Sequence, residues 1–421
     1  MKKYTELLQK HQNKGFTLLD QTIVSGGNFI TSFMYARILG LEIYGFFVLC
    51  WMLVLFISGL QQSFIFNPMT SIYAYKSIEE NRDQYIQSLF SLQLLFSIMS
   101  SVFVMLMLYI DILFIQTPRL EGLLFIIPAA VFAFTMQDFF RKKFILTGKP
   151  QITFLLDVLC TALLLGLLFS GYASTVRNIF SIITISFITT AITGYLISGI
   201  QINLHLFNFT ISNHWMQGKW LILTSVIQLF SGNYFIVAAG VLLGTAEIGI
   251  IRIAQNIVGV LNILFIAMES YIPVSASKIF HNLGAAALIK YLKSVTIKGL
   301  LITSILCISI ALSSSKIIAV LYGRAFIEYS GTVQIYALFY ILVFISIPLR
   351  FAIRTIEQNH HILIGYIISS VFSFISANVL ITHYGIYGVL SGIIISQLLT
   401  QFWYIYSLKN YCYAHHSLST R

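Results

Sequence analysis

Long apolar runs separated by short polar breaks dominate this chain. Twelve are long enough to matter: Phe16–Leu39, Tyr44–Phe66, Ile86–Tyr109, Leu123–Phe140, Ile152–Tyr172, Ile179–Ile200, Trp220–Leu242, Ile248–Ile272, Val295–Leu312, Val333–Pro348, Ile362–Ile381 and Ile386–Leu408. A helix needs about 20 apolar residues to cross about 30 Å of hydrocarbon. Lipid offers the backbone no partner, so each run is predicted to satisfy its own hydrogen bonds as an α-helix. The predicted fold class is an all-α integral membrane protein with about twelve transmembrane helices.

The polar breaks set the orientation. With the N-terminus on the cytoplasmic side, nineteen of the 25 Lys and Arg lie inside and six outside. Basic residues flanking spans concentrate on the cytoplasmic face in this way. An even number of spans returns the C-terminus to the cytoplasm.

A phrase recurs along the pattern. Gly27-Asn28-Phe29, Leu39-Gly40, Gly45 and Pro68 reappear about 205 residues later as Gly232-Asn233-Tyr234, Leu243-Gly244, Gly249 and Pro273. Each copy opens a set of six spans, so both halves enter the membrane in the same sense. They are predicted to form two six-helix lobes related by a pseudo-two-fold axis along the membrane normal. The organisation this implies is an interfacial N-terminal segment (1–15), an N-lobe (16–200), a cytoplasmic linker (201–219), a C-lobe (220–408) and a cytoplasmic tail (409–421).

Composition changes the picture mainly by exclusion. At 58% hydrophobic and 9% charged, the chain is not a soluble globular protein. Its net charge of +11 is that of a membrane protein's cytoplasmic face, and no nucleic-acid partner is predicted. Cys50, Cys160, Cys307 and Cys412 form no C-x-x-C pair, so neither a disulfide framework nor a metal cluster is expected. The polar N-terminus carries no cleavage-site pattern, so no removed signal peptide is expected. There is no H-E-x-x-H, phosphate-binding glycine loop or nucleophile elbow, and the outer loops are short. The expected function is therefore transport without a cofactor, not catalysis. Asn208-Phe209-Thr210 has the form of a glycosylation acceptor but lies on the cytoplasmic side. Pro68 and Pro273 read as helix stops. Gly240–Gly244 and Gly388–Gly392 have the spacing of close helix packing.

The junction of the first two spans reads Ala36-Arg37-Ile38-Leu39-Gly40-Leu41-Glu42-Ile43-Tyr44-Gly45. Gly40 suits a helix C-terminus. Arg37, Leu39, Gly40, Tyr44 and Gly45 resemble the R-x-LG-x-x-x-(Y/F)G signature of the polysaccharide and oligosaccharide-lipid flippases. These belong to the multidrug/oligosaccharidyl-lipid/polysaccharide exporter superfamily. A basic turn, Arg141 to Lys149, is matched near the tenth span by Arg350 and Arg354 and extends the resemblance. The resemblance implies a multi-pass protein of the bacterial cytoplasmic (inner) membrane. It would flip a polyprenyl-diphosphate-linked oligosaccharide, an O-antigen, capsule or exopolysaccharide repeat unit, by alternating access. Its partners would be that lipid-linked oligosaccharide, membrane lipid, and a polysaccharide polymerase with its chain-length machinery.

Polar residues inside the spans are the candidate site. Charges there are costly and face protein or water. Arg252, Gln255, Asn256 and Asn262 share one face of the eighth span. Asn28 and Asn233 are repeat equivalents within the first and seventh. With Arg37, these six are the candidate substrate path. An outer-interface anchor for Arg37 and Arg252, and helix–helix bonding for the two asparagines, are the plain alternatives. Asp157 and Glu269 lie about one turn deeper than Asp20 and Asp138 and are the candidate Na⁺ or H⁺ coupling residues. Arginine suits a diphosphate because its planar fork pairs oxygens two at a time.

Three other functions compete. An ion-coupled multidrug antiporter of the same superfamily needs acids deep in the first half, where Asp20, Asp157 and Glu42 look shallow. A major-facilitator carrier lacks its usual basic-acidic signature in Ser71–Gln87. A membrane polysaccharide polymerase, an enzyme, needs larger outer loops than the longest one, Ser313–Thr332.

Overall fold

The computed structural model describes residues 2–73, 81–114 and 118–419, which are helical with no strand among them. In the first half α1 spans Lys2–Leu39, α2 Leu41–Tyr73 and α3 Arg82–Phe114. They are followed by α4 (Ile126–Leu146), α5 (Pro150–Phe169) and α6 (Val176–Ser198). In the second half α7 spans Phe207–Leu242, and α8 covers Thr245–Gly259 and resumes over 262–283. Then come α9 (Ala286–Leu321), α10 (Ser330–Thr355), α11 (360–384) and α12 (386–419). The backbone of residues 2–14 continues α1, and their side chains lie outside the described residues.

Two helix pairs are separated by a single glycine. Gly284 (φ 80°, ψ −175°) divides α8 from α9, and Gly385 (φ 56°, ψ −135°) divides α11 from α12. The second is an antiparallel hairpin. It is closed by Ser373 Oγ with Ser396 Oγ (3.2 Å), Thr400 Oγ1 donating to Gly365 O (3.4 Å) and Trp403 Nε1 donating to His361 O (3.1 Å). The result is the twelve rods that the apolar runs predict. Among the described residues, eight helical stretches are long and apolar enough to cross a membrane by length and composition. α4 falls outside that set because Asp138, Arg141, Lys142 and Lys143 crowd its last two turns.

Neither proline stops a helix. Pro68 continues α2 directly after a π-helical turn, Gln62–Phe66, and Pro273 lies inside α8. Proline removes one backbone donor, and at Pro68 the widened turn just before it accommodates that loss without ending the helix. The two glycine pairs also part company. Gly388 and Gly392 pack closely against Leu380 O and the Phe235 ring, whereas Gly244 is a turn residue at φ +109° with open space around it.

The chain divides into two compact units. One takes in residues up to Leu39 together with Leu49–Ser225; the other takes in Gly40–Val48 and everything from Val226 onward. The first unit's core is aromatic, built on Phe66, Tyr85, Phe90, Phe139, Phe140 and Phe144. In the second unit Phe265, Phe344, Ile347 and Phe351 play the same part.

Residues 203–225 belong to the first unit through a ladder of polar contacts. Asn203 Nδ2 donates to Gln87 Oε1 (3.0 Å), and Thr210 Oγ1 meets Ser88 Oγ (2.8 Å). His214, fully buried, lies 2.9 Å from both Tyr85 Oη and Phe64 O. Ser71 Oγ donates to Gln217 Oε1 (2.6 Å), and Ser63 Oγ meets Ser225 Oγ (2.6 Å). Gly218 completes the contact, since a methyl group there would lie 3.2 Å from Ser63 O. The buried Thr210 is thus a rung of this ladder.

Candidate functional site

In the first unit, four charged side chains from three helices meet inside the protein. On α4, Gln137 and Arg141 are four residues apart and Asp138 and Arg141 three apart, so all three share one side of the helix. Arg141 Nε donates to Asp157 Oδ2 on α5 at 2.7 Å, and Gln137 Nε2 donates to Asp157 Oδ1 at 3.1 Å. Arg141 Nη1 lies 3.3 Å from Asp138 Oδ1, and Nη2 lies 3.7 Å from Asp20 Oδ2 on α1.

The helices are brought together by small and hydroxylated residues. Thr153 Oγ1 donates to Arg141 O (3.2 Å), which joins α5 to α4. Gly27 on α1 packs against Thr161 on α5, where a methyl group would lie 2.8 Å from Thr161 Cγ2. The site is nearly closed: Asp20 is 4% exposed, Asp138 8% and Asp157 2%.

Its charge does not balance. Three carboxylates surround one guanidinium, so with all groups ionised the cluster carries two surplus negative charges. Lys142 and Lys143, next along α4, lie over the Phe66 and Phe144 rings. Asp20 Oδ1 is buried without a hydrogen-bond partner. Burying unbalanced charge is costly, and a buried carboxylate oxygen without a donor is costly as well. Protons or a small cation drawn to Asp20 and Asp157 would offset both. That is the chemistry a coupling site requires.

The sequence singles out Asp157, and the structure places it at the centre. It also places Asp20 and Asp138 there, which the sequence reads as helix-end acids. Arg141, which the sequence assigns to a cytoplasmic basic turn, is instead the inward-facing partner of all three. The Asp138–Arg141 spacing was the available signal for it. The side chain of Glu269 lies outside the described residues.

The second unit holds most of the candidate path. Arg252 Nη1 donates to Gln255 Oε1 (3.2 Å), Asn256 Nδ2 donates to Tyr44 Oη (3.0 Å), and Tyr340 Oη donates to Asn262 Oδ1 (2.8 Å). The helix is interrupted between these residues. Leu261 N bonds to Val258 O and Leu264 N to Leu261 O, three-residue bonds that break the regular ladder between Gly259 and Asn262. Irregular backbone at membrane depth persists where protein or water covers it, not lipid. Tyr340 stacks on Phe265 with ring centroids 5.6 Å apart. The tyrosines around α8 are partners that sequence spacing alone does not reveal.

Asn233 closes the π-helical turn Leu229–Asn233 of α7, and its side chain is exposed. Asn28 is exposed on α1, in the other unit, as is Arg37, whose guanidinium lies 5.9 Å from the Phe33 ring. An exposed amide in the middle of a span is more stable against water than against lipid.

No protein-family model matches the chain, and no curated protein matches it in sequence. Solved structures match its shape. An inward-facing multidrug resistance MATE family transporter of the MOP superfamily superposes with a TM-score of 0.68 at 14% identity, covering 94% of this chain and 96% of that one. A MATE structure in the straight conformation gives 0.67 at 12% identity, covering 96% of each chain. A MOP superfamily transporter from Pyrococcus furiosus, whose reversed binding-pocket polarity suggests a different function, gives 0.64 at 15% identity, covering 94% and 96%. This chain therefore has the all-α membrane fold that MATE family transporters of the MOP superfamily share.

Proposed function

We propose that this chain is an ion-coupled transporter of the cytoplasmic membrane, working by alternating access as a multidrug-type antiporter. The observation that carries this reading is the closed cluster of Asp20, Asp138, Asp157 and Arg141. Asp20 and Asp157 lie toward one end of their spans, and both are buried around one arginine with surplus negative charge. Loading the cluster with a proton or Na⁺ removes that surplus, and unloading restores it. A driving-ion gradient can in this way bias the conformations of the protein. The multidrug transporters with the same fold support the same direction.

A second reading, the lipid-linked oligosaccharide flippase, is favoured by Arg252 with Gln255, Asn256 and Asn262. That face carries one cation and three amides, a set suited to a diphosphate and sugar hydroxyls. Under this reading the cluster in the first unit still supplies the coupling, and a polysaccharide polymerase would act on the exported units.

Purified protein in proteoliposomes, given an imposed pH or Na⁺ gradient and a fluorescent cationic dye, separates the two. Gradient-driven dye movement that is lost in Asp157→Asn supports the antiporter. No dye movement under either gradient, with lipid-linked units accumulating inside a deletion strain, transfers the assignment to the flippase. A deletion strain that instead exports single unpolymerised units would point to a polymerase.

A further inference from the structure

Arg141 turns to the three carboxylates, but the two lysines that follow it on α4 do not. Lys142 Nζ lies 5.8 Å from the centroid of the Phe66 ring on α2, and Lys143 Nζ lies 4.5 Å from that of Phe144. Arg82, the first residue of α3, holds its guanidinium 5.1 Å from the Tyr73 ring at the end of α2. Phe66 and Phe144 are buried in one aromatic core, and Tyr73 packs against it. Lys143 also feels the charges of Lys149 and of Asp83, the second residue of α3. The ends of α2, α3 and α4 thus gather Arg82, Lys142, Lys143 and Lys149 around a shared aromatic floor, with Asp83 as the acid beside them. All of these residues belong to the first unit.

These cations lack partners. Among the described residues, none of the four side chains makes an ion pair or finds a hydrogen-bond acceptor. A ring face attracts a cation but does not replace an oxygen acceptor for its N–H groups. Arg82 Nε is buried with no partner. Lys143 is only 9% exposed, and an ammonium so far withdrawn from water is costly without a counter-charge. Lysines near a helix end can bind its last carbonyls. Here those carbonyls are taken by the backbone: Lys143 O accepts from Thr147 N, Ile145 O from Gly148 N and Phe144 O from Lys149 N. What the cluster lacks is an anion with several acceptor oxygens.

Two features favour a lipid headgroup as that anion. The charge bias places this end of the unit at the cytoplasmic surface, where anionic phospholipids are drawn to basic helix ends. Ile145, three residues beyond Lys142 and so on the same side of α4, is 42% exposed and offers an acyl chain apolar surface beside the cations. A phosphodiester has oxygens for both the planar fork of an arginine and the point charges of lysines. We propose that Arg82, Lys142 and Lys143 form a site for the phosphate headgroup of an anionic phospholipid in the cytoplasmic leaflet, with Lys149 at its edge. The headgroup supplies the acceptors that these side chains lack. The site is distinct from the carboxylate cluster around Arg141 and stands whichever substrate the protein moves.

The test titrates full-length protein in a neutral detergent with fluorescent phosphatidylglycerol and, in parallel, fluorescent phosphatidylcholine, with inorganic phosphate as competitor. One variant, Arg82→Gln with Lys142→Gln and Lys143→Gln, removes the three cations. A control, Lys290→Gln with Lys293→Gln and Lys298→Gln, removes the same charge from exposed positions of α9. Phosphatidylglycerol is expected to bind saturably, about tenfold or more weakly in the first variant and within about twofold of wild type in the control. Equal weakening in both variants would reduce the effect to net charge and overturn the proposal. Equal binding of phosphatidylcholine would overturn it as well, as would displacement of the lipid by inorganic phosphate, which would make the site one for a free anion. If the first variant does not fold, phosphatidylglycerol with a photoreactive headgroup is cross-linked to the native chain. Cross-links in residues 142–149 or at the start of α3 are expected, and their absence there overturns the proposal.

Discussion

Arg141 holds Asp157 through a 2.7 Å hydrogen bond between Nε and Oδ2, and it does so while facing two further carboxylates. Removing the guanidinium leaves three buried acids with no positive partner. Breaking a buried ion pair from one side costs about 3–5 kcal/mol. Arg141→Gln is therefore expected to lower the amount of folded protein and its melting temperature strongly. Adding Asp157→Asn should restore part of that loss, because the removed charge no longer needs a counter-charge. A double-mutant cycle on thermal melting in detergent measures the coupling. Additive losses would show that the two side chains do not act as a pair.

Asp157→Asn by itself should behave differently. The asparagine oxygen still accepts from Arg141, Gln137 turns its amide so that its oxygen accepts from the new Nδ2, and the cluster loses one of its surplus negative charges. Protein level and melting temperature are expected to stay near wild type, while gradient-driven transport falls by at least about tenfold, the effect of removing about 1.4 kcal/mol of coupling. Flux in proteoliposomes under an imposed pH or Na⁺ gradient measures this. Retained flux with the normal gradient dependence would exclude Asp157 from coupling.

The architecture was largely legible from the chain, and the reason is the solvent. Lipid forces every crossing segment into a helix, so run lengths alone yield the twelve rods, and the repeated glycines locate the α1–α2 and α7–α8 turns. Gly40 at φ 72° and Gly244 at φ 109° occupy the turn positions their spacing implies. The candidate site was legible only in part. Asp157 stands out by depth, but its meeting with Asp20 and Arg141 depends on how α1, α4 and α5 pack, which no single helix encodes. Local proline rules failed at Pro68, which a π-turn directly precedes, and at Pro273, which α8 carries within its length. His214 sits in a stretch whose polarity reads as a cytoplasmic linker. Its burial follows from tertiary partners, Tyr85 and Phe64, that lie about 130–150 residues away.

His214 makes a test of that burial. Phe64 O can only accept, so Nδ1 carries the proton there and Nε2 accepts from Tyr85 Oη. His214→Ala removes the partner of the Phe64 carbonyl and a partner of the Tyr85 phenol together, at about 1–3 kcal/mol. Tyr85→Phe removes one partner and should cost less, about 0.5–1.5 kcal/mol. Melting curves of the two variants check the order. A larger loss for Tyr85→Phe than for His214→Ala would contradict the bonding pattern.

Arg252 separates recognition from stability. Its bond to Gln255 is long, at 3.2 Å, and both side chains are only partly buried, so Arg252→Ala should change melting by less than about 1 kcal/mol. What it removes is the cation on a face that otherwise offers amides from Gln255, Asn256 and Asn262. Losing a charged contact to an anionic substrate costs about 1.5–3 kcal/mol, or roughly ten- to a hundredfold in affinity. A cationic drug makes no such contact. The expected result is therefore a selective one: Arg252→Ala weakens handling of a diphosphate-linked substrate by that factor and leaves cationic dye efflux unchanged. Transport of both substrates, measured at equal protein levels, checks it. An equal loss for both would show that Arg252 supports the fold of α8 and does not read the substrate's charge.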